Sequence, residues 1–313
     1  MWADTIMRWT RYKSFLKLIP GTSSRFGTSG LRPANSQRRP ESWLPCSQSS
    51  FPTLRSHAAD PMKRPFVNIT IPVYNEERIL AESIGKVVAF LASNFRYAHE
   101  IAIVDNASID RTLQIARELQ ASHDRVHVLH LDEKGRGRAV KTAWNESKAD
   151  ILSYMDCDLS TDLAAFPPLI ELMISGRFDV AVGSRLLKLF LTTRGFRRET
   201  ISRGYNLLIK ACFRTKFSDA QCGFKAITKR AAQELLPLIE DNGWFMDTEL
   251  LILTEKLGYR IFDLPVRWMD DPDTRVRIWS TAIKDIRGLL RLRRNFVRRT
   301  HCRSACKELS GIV

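Results

Sequence analysis

The sequence predicts an α/β domain: a mostly parallel sheet flanked by helices. Two observations carry this reading. Short apolar, β-branched runs recur from Phe66 onward, and segments with apolar residues at helical spacing separate them. A third observation locates the chemistry. Each polar motif begins where an apolar run ends, and parallel sheets bind ligands at the carboxyl ends of their strands.

Residues 66–73 form the first apolar run, which ends in Tyr74-Asn75-Glu76. Residues 77–91 follow as a helix, with Ile79, Leu80, Ile84, Val87, Val88 and Leu91 at helical spacing. Residues 100–104 are the second strand, 111–119 a helix, 126–131 the third strand and 139–147 a helix. Residues 151–155 and 179–182 supply the fourth and fifth strands. Strands separated by helices imply a parallel sheet with helices on both faces.

The second strand ends in Val104-Asp105-Asn106. A carboxylate at a strand end can accept hydrogen bonds from a ribose or base, which makes Asp105 the candidate. Asp110 is the better cap for the helix that follows. The third strand leads into Lys134-Gly135-Arg136-Gly137-Arg138. Glycines there allow close backbone approach, and a helix N-terminus attracts anions; a plain basic turn is the competing reading. No G-K-[ST] follows, so this is not a Walker loop.

The fourth strand delivers Asp156-Cys157-Asp158. Carboxylates two apart at a strand terminus can converge on one ion, and Mg²⁺ or Mn²⁺ favours carboxylate oxygens together with substrate phosphates. Arg185, Arg194, Arg197, Arg198 and Arg203 form a cationic cluster suited to phosphate oxygens. Asp219 to Lys225 is a dense polar segment containing one glycine. Residues 244–250 open a helix with Asp247 and Glu249 in its first turn.

The net charge of +15 belongs to the two ends. Residues 1–65 carry 11 Lys and Arg against 3 Asp and Glu, residues 279–313 carry 9 against 2, and the rest is balanced at 29 of each. Residues 1–64 are rich in Ser, Pro and Arg without a sustained period, which predicts a disordered extension. Three readings of it stay open: a solvated tail, a transit peptide, and an extension upstream of a translation start at Met62. No stretch of about 18 uninterrupted apolar residues exists, so the chain reads as soluble or bound to a membrane surface. The six cysteines form no C-x-x-C pair, which argues against zinc and suits a reducing cytosol.

Residues 278–300 read as a basic amphipathic helix. Ile278, Ala282, Ile286, Leu289, Leu290, Phe296 and Val297 approximate one face, with Arg287, Arg291, Arg294 and Arg298 largely on the other. Such a helix suits an anionic membrane surface, packing on the domain, or both. The expected organisation is an extension over 1–64, a catalytic domain over 65–277 and a basic amphipathic segment over 278–313.

Taken together, the motifs resemble the family 2 glycosyltransferases of the GT-A (Rossmann-like) fold, and within them the polyprenyl-phosphate or dolichyl-phosphate β-glucosyltransferases and mannosyltransferases. The stretches are IPVYNEE, IVDNASIDRT, DEKGRGRAVKTAW, YMDCDLSTDL, VGSRL, ISRGYNLLIK, FSDAQCGFKAI, WFMDTELL and VRWMDDPDTRVRI, in order across about 68–290. The resemblance implies that Pro72, Tyr74, Glu76 and Asp105 line a nucleoside pocket and that Asp156 and Asp158 hold Mg²⁺ or Mn²⁺. It implies that Arg185, Arg198 and Arg203 receive a lipid phosphate and that Gln221 and Lys225 face the donor or acceptor groove. Arg275 would close over the diphosphate. Mannosyl relatives place a Gln where this chain has Ser160, a weaker metal ligand. The Gln221-to-Lys225 element looks more like the glucosyl branch, so UDP-glucose is the favoured donor and GDP-mannose the next.

These implications predict a peripheral enzyme at the cytoplasmic face of a membrane. It would move a hexose from a nucleotide-sugar to polyprenyl phosphate with inversion. A phosphate acceptor is already anionic near neutral pH, so no catalytic base is assigned. The rival acceptor, a hydroxyl of a polysaccharide or diacylglycerol, needs a base, for which Asp247 or Glu249 is the candidate. A nucleic-acid partner is not expected, because the basic ends lack interleaved aromatic platforms.

Overall fold

The computed structural model describes residues 65–187, 196–269 and 283–296. The chain alternates β1 (Phe66–Val73), α1 (Leu80–Asn94), β2 (Ala98–Asn106), α2 (Thr112–Ser122), β3 (Val126–Leu131), α3 (Arg136–Glu146) and β4 (Ile151–Met155). It continues through α4 (Phe166–Ile174), β5 (Val180–Ser184), α5 (Phe196–Phe213), β6 (Phe224–Thr228), α6 (Lys229–Leu235), α7 (Met246–Lys256) and β7 (Ile261–Pro265). A helix over 283–296, α8, closes the described chain.

The seven strands form one sheet in the order β3-β2-β1-β4-β6-β5-β7. The five expected strands are present, and β1 to β4 pair in parallel as expected. Strand β6 was not anticipated. It runs antiparallel to both β4 and β5, and Lys225 breaks its apolar run, which is why the sequence read as a polar segment. Its direction positions the site: Tyr154 faces Lys225 and Met155 faces Phe224, so the chain entering β6 lies beside the chain leaving β4.

The central strands read as near-continuous apolar runs because helices cover both faces. All five residues of β4 are buried. Within it, Ser153 donates from Oγ to the Asn68 carbonyl at 2.6 Å. Asn68, buried within β1, donates to Glu100 Oε1 at 2.8 Å and accepts from the Thr70 hydroxyl. Every buried polar group in this stretch is thereby partnered, as a low-dielectric interior requires.

Helix α8 differs from its sequence reading. Asp285, Gly288, Leu289 and Leu292 are buried, and Phe296 packs on Phe213 of α5 at 5.7 Å between ring centroids. Positions 285, 288/289, 292 and 296 make one stripe at helical spacing. Ile286 and Leu290, expected on the same face as Leu289, are 46% and 63% exposed. Arg291, expected on the polar face, turns inward to Glu249 Oε2 at 3.0 Å. The helix therefore has a packed inner face and a separate outer face that is both apolar and basic. The extension over 1–64 and the tail beyond 296 lie outside the described residues. Among the described residues no helix is long and apolar enough to cross a membrane.

Candidate active site

The loops after β1, β2 and β4 converge at one edge of the sheet. Each contains a non-glycine residue with left-handed backbone: Asn75 (φ 56°), Ala107 (φ 60°) and Leu159 (φ 49°). That conformation costs free energy for side-chain-bearing residues and persists where the surroundings enforce it. Here the enforcement is visible. The Asn75 N–H donates to Ser108 Oγ at 2.9 Å, Asn75 Oδ1 accepts the Ile109 N–H at 2.9 Å, and the Glu76 N–H donates to Thr112 Oγ1 at 2.8 Å. Asp110 Oδ1 accepts the Thr112 N–H at 3.0 Å at the start of α2, where Arg111 and not Asp110 holds the N-cap position.

Pro72, Tyr74 and Glu76 are half-buried along this edge. The Lys134 ammonium sits over the Tyr74 ring, 3.3 Å from its centroid. Asp105 is fully buried. Its Oδ2 meets His130 Nδ1 at 2.7 Å, while Oδ1 is buried without a hydrogen-bond partner among the described residues. A buried acceptor left open at a strand end is what a ribose or base donor would satisfy.

At the end of β4 the side chains of Asp156-Cys157-Asp158 alternate. Cys157 turns inward and is buried, and burial pushes its thiol pKa up. Asp156 and Asp158 turn outward, Asp158 exposed and Asp156 partly so. The Ser160 N–H donates to Asp158 Oδ1 at 2.9 Å, which orients that carboxylate. Asp156 is fitted against β6: its N–H donates to the Gly223 carbonyl at 3.2 Å. Two carboxylates offering oxygen at a site open to solvent suit Mg²⁺ or Mn²⁺ whose shell is completed by phosphate oxygens. Among the described residues no cluster of three or more His, Cys, Asp or Glu side chains gathers around a metal position.

Behind this edge lies a buried ionic cluster that sequence reasoning missed. Arg136 Nη2 contacts Asp156 Oδ1, and Arg136 Nη1 donates to Asp247 Oδ2 at 2.6 Å. Asp247 also pairs with Lys225 Nζ at 2.9 Å and accepts from the Tyr154 hydroxyl. Burial opposes charge on Asp247, but Lys225 and Arg136 outweigh it and hold the carboxyl below its ordinary range. The Arg136 guanidinium lies 5.0 Å from the Tyr154 ring and 4.8 Å from the half-exposed Trp244 ring.

The glycines flanking Arg136 have a role other than anion binding. A Cβ on Gly135 would lie 2.6 Å from the Asn242 carbonyl, and one on Gly137 2.6 Å from Met246 Cβ. The Arg138 N–H donates to that same Asn242 carbonyl at 3.1 Å. The first turn of α3 is thus sealed against the chain entering α7 and brings Arg136 to Asp247.

The remaining expected residues divide. Arg185 is buried and forks onto Asp219, Nε to Oδ2 at 2.7 Å and Nη2 to Oδ1 at 2.9 Å, with Trp268 4.8 Å from its guanidinium. Burial opposes charge on Asp219, and Arg185 overcomes it and holds its carboxyl low. Lys225 does not face a groove: it is fully buried, because the antiparallel register turns it toward Tyr154 and Asp247. Gln221 is half-buried and donates from Nε2 to Asp285 Oδ2 of α8 at 2.7 Å. Arg203 is exposed on α5, which also carries Arg198. Arg194 and Arg275 lie outside the described residues. Ser160 is buried just past the carboxylate pair.

The part of the chain that supplies most of this sheet and the carboxylate pair at the end of β4 is matched, over residues 68–236, by the model of glycosyl transferase family 2. The chain belongs to glycosyl transferase family 2. Among curated relatives, the glycosyltransferase AglD of Haloferax volcanii is 35% identical over 240 residues; the match covers 76% of this chain but only 38% of that protein. The dolichyl-phosphate beta-glucosyltransferase of Drosophila melanogaster is 30% identical over 229 residues, 68% of this chain and 70% of that one. Glucosyl-3-phosphoglycerate synthase of Mycobacterium tuberculosis, solved with Mn²⁺ and UDP-glucose, is 17% identical with a TM-score of 0.56 over 73% of this chain and 79% of that chain. At that identity the likeness shows the GT-A fold.

Proposed function

We propose that this glycosyltransferase moves glucose, with mannose the next choice, from a nucleoside diphosphate sugar to a polyprenyl phosphate at an anionic membrane surface, inverting the anomeric carbon. The observation that carries the acceptor class is the state of the two first-turn acids of α7. Both oxygens of Asp247 are engaged, by Tyr154 and Lys225 on one and Arg136 on the other, and the residue is buried. Glu249 is buried and turned toward Arg291 and the Asp241 N–H. Asp247 has no open carboxylate oxygen and Glu249 is buried with Oε2 engaged, which supports an acceptor that needs no base. A phosphate monoester, with a second pKa of about 6, attacks without one.

Asp156 and Asp158 would hold Mg²⁺ or Mn²⁺, which when bound offsets charge on the departing diphosphate. Asp105, Tyr74, Glu76 and Pro72 would seat the nucleoside. The chain's part is to position the donor and to supply fixed charge. The relatives' names support the acceptor, since the Drosophila protein is named a dolichyl-phosphate beta-glucosyltransferase. The neighbour solved with Mn²⁺ and UDP-glucose supports the donor and metal.

The membrane part rests on the outer faces of α8 and α5. Ile283, Ile286 and Leu290 of α8 and Ile201, Leu207 and Leu208 of α5 are exposed. Lys284, Arg287, Arg293 and Arg294 are exposed on the same helix. Tyr205 beside Asp285 and Phe213 beside Phe296 hold the two helices together. Exposed apolar side chains ringed by cations suit the headgroup plane of an anionic bilayer, which supports a peripheral position at the cytoplasmic face of a membrane.

The test is incubation of the full chain with labelled UDP-glucose or GDP-mannose, Mn²⁺, and either polyprenyl phosphate or diacylglycerol in vesicles. Transfer to the phosphate lipid is expected. Transfer to diacylglycerol alone would overturn the acceptor assignment.

A further inference from the structure

We infer that Arg136 serves as a resident counter-cation for Asp156, so that a divalent metal binds this site well only together with a nucleoside diphosphate. The inference rests on the metal reading of Asp156 and Asp158.

Charge balance carries the argument. The Arg136 side chain is 9% exposed and that of Asp247 3%; Lys225 is wholly buried. Two cations, Arg136 and Lys225, meet two carboxylates, Asp156 and Asp247, in one contiguous set of contacts. The set is neutral as it stands. Asp158, two residues on from Asp156, adds a further negative charge at the metal position. A divalent ion arriving alone brings two positive charges against that one, and its ligand Asp156 is already in contact with a guanidinium. Interactions between charges this close, in a partly buried setting, are far stronger than in bulk water. A nucleoside diphosphate sugar carries one negative charge on each phosphate group. Metal and donor arriving together therefore add little net charge, whereas the metal alone leaves an excess.

The placement of Arg136 is enforced. Gly135 and Gly137 allow the first turn of α3 to touch the chain at Asn242 and Met246. Tyr154 and Trp244 then bound the guanidinium on both sides. Swinging Arg136 away from Asp156 would also leave Asp247 with fewer partners. Binding of metal and nucleotide is thereby linked, and linkage is reciprocal: each ligand raises the affinity for the other by the same factor.

The experiment measures Mn²⁺ binding to the full chain by water proton relaxation enhancement, which separates protein-bound Mn²⁺ from Mn²⁺ held by free UDP. In the wild-type protein, Mn²⁺ without UDP is expected to bind at least tenfold more weakly than with it. Arg136→Gln should tighten nucleotide-free Mn²⁺ binding about tenfold and shrink the effect of UDP, while Arg136→Lys should keep most of it. Equal wild-type affinity with and without UDP overturns the inference, and this arm needs no variant to fold. A folded Arg136→Gln protein with unchanged nucleotide-free affinity overturns it as well. No protein-bound Mn²⁺ in the wild type even with UDP overturns the metal reading beneath it, a result distinct from the other two.

Discussion

Gly223 stands where any side chain would overlap the Asp156 carboxylate: a Cβ there would lie 1.7 Å from Oδ2 and 2.6 Å from Oδ1. Arg136 holds that carboxylate, and the Asp156 N–H donates to the Gly223 carbonyl itself. Gly223→Ala should therefore displace Asp156 rather than the sheet. The expected outcome is a loss of transfer of about 10²-fold or more, since misplacement by an ångström can cost that much. Circular dichroism should show the secondary structure retained. Wild-type turnover in this variant would mean that the Asp156 position does not matter to the reaction.

Asp158 is exposed, and its Oδ1 accepts the Ser160 N–H. Its removal costs the fold little, because exposed carboxylates contribute little to stability. Asp158→Ala should lower transfer by about 10²-fold or more, on the scale of losing a charge-stabilising group, with a melting temperature close to wild type. Turnover at the wild-type level would sink its assignment as a metal ligand.

Asp285 predicts a pH dependence of stability. Burial raises its pKa to about 7, against the Gln221 hydrogen bond, and the charges of Asp241 and Asp247 push the same way. The unfolded chain releases this proton near the ordinary value of 3.8. Between about pH 4 and pH 7 the folded state holds a proton that the unfolded state does not, so stability falls as pH rises through that window. Asp263, raised to about 6 by burial, adds the same sign over the lower part. Asp285→Asn keeps an acceptor for Gln221 and removes the titration. Its melting temperature should fall less steeply between pH 5 and pH 7 than that of the wild type; parallel curves would count against it.

What the sequence revealed follows from where charge is buried. Strands β1 to β5 were legible because short runs rich in apolar, β-branched residues mark each of them, and the motifs at their ends followed from the parallel pattern. Strand β6 was hidden by Lys225, which reads as a surface residue until Asp247 and Tyr154 are seen beside it. Arg136 lay within a loop noted for its glycines, but its partners Asp156 and Asp247 are 20 and 111 residues away. No local pattern encodes such pairs. The glycines signalled close approach correctly; the group approached is the turn at Asn242, which composition cannot name. In α8 the apolar positions formed two stripes, and only the packed neighbours show that 285, 289 and 292 face inward.

The outer stripe of α8 gives the last prediction. Ile286 and Leu290 are 46% and 63% exposed, and Arg287, Arg293 and Arg294 are exposed alongside them. Full burial of such an aliphatic side chain yields about 1.5–3 kcal/mol, and side chains already half-buried would gain about 1 kcal/mol each on entering a bilayer surface. Replacing both, as Ile286→Ser with Leu290→Ser, should weaken binding to vesicles containing anionic lipid by about tenfold to thirtyfold, since 1.4 kcal/mol is a factor of ten. Neither residue supports the packed face, so the melting temperature should hold. The basic residues contribute separately, through an attraction that salt screens. Wild-type binding should therefore weaken from low to high ionic strength, and the double variant should show a similar salt slope from a lower start. Co-sedimentation at two salt concentrations reads both effects. Unchanged binding by the double variant would remove this face from the membrane contact.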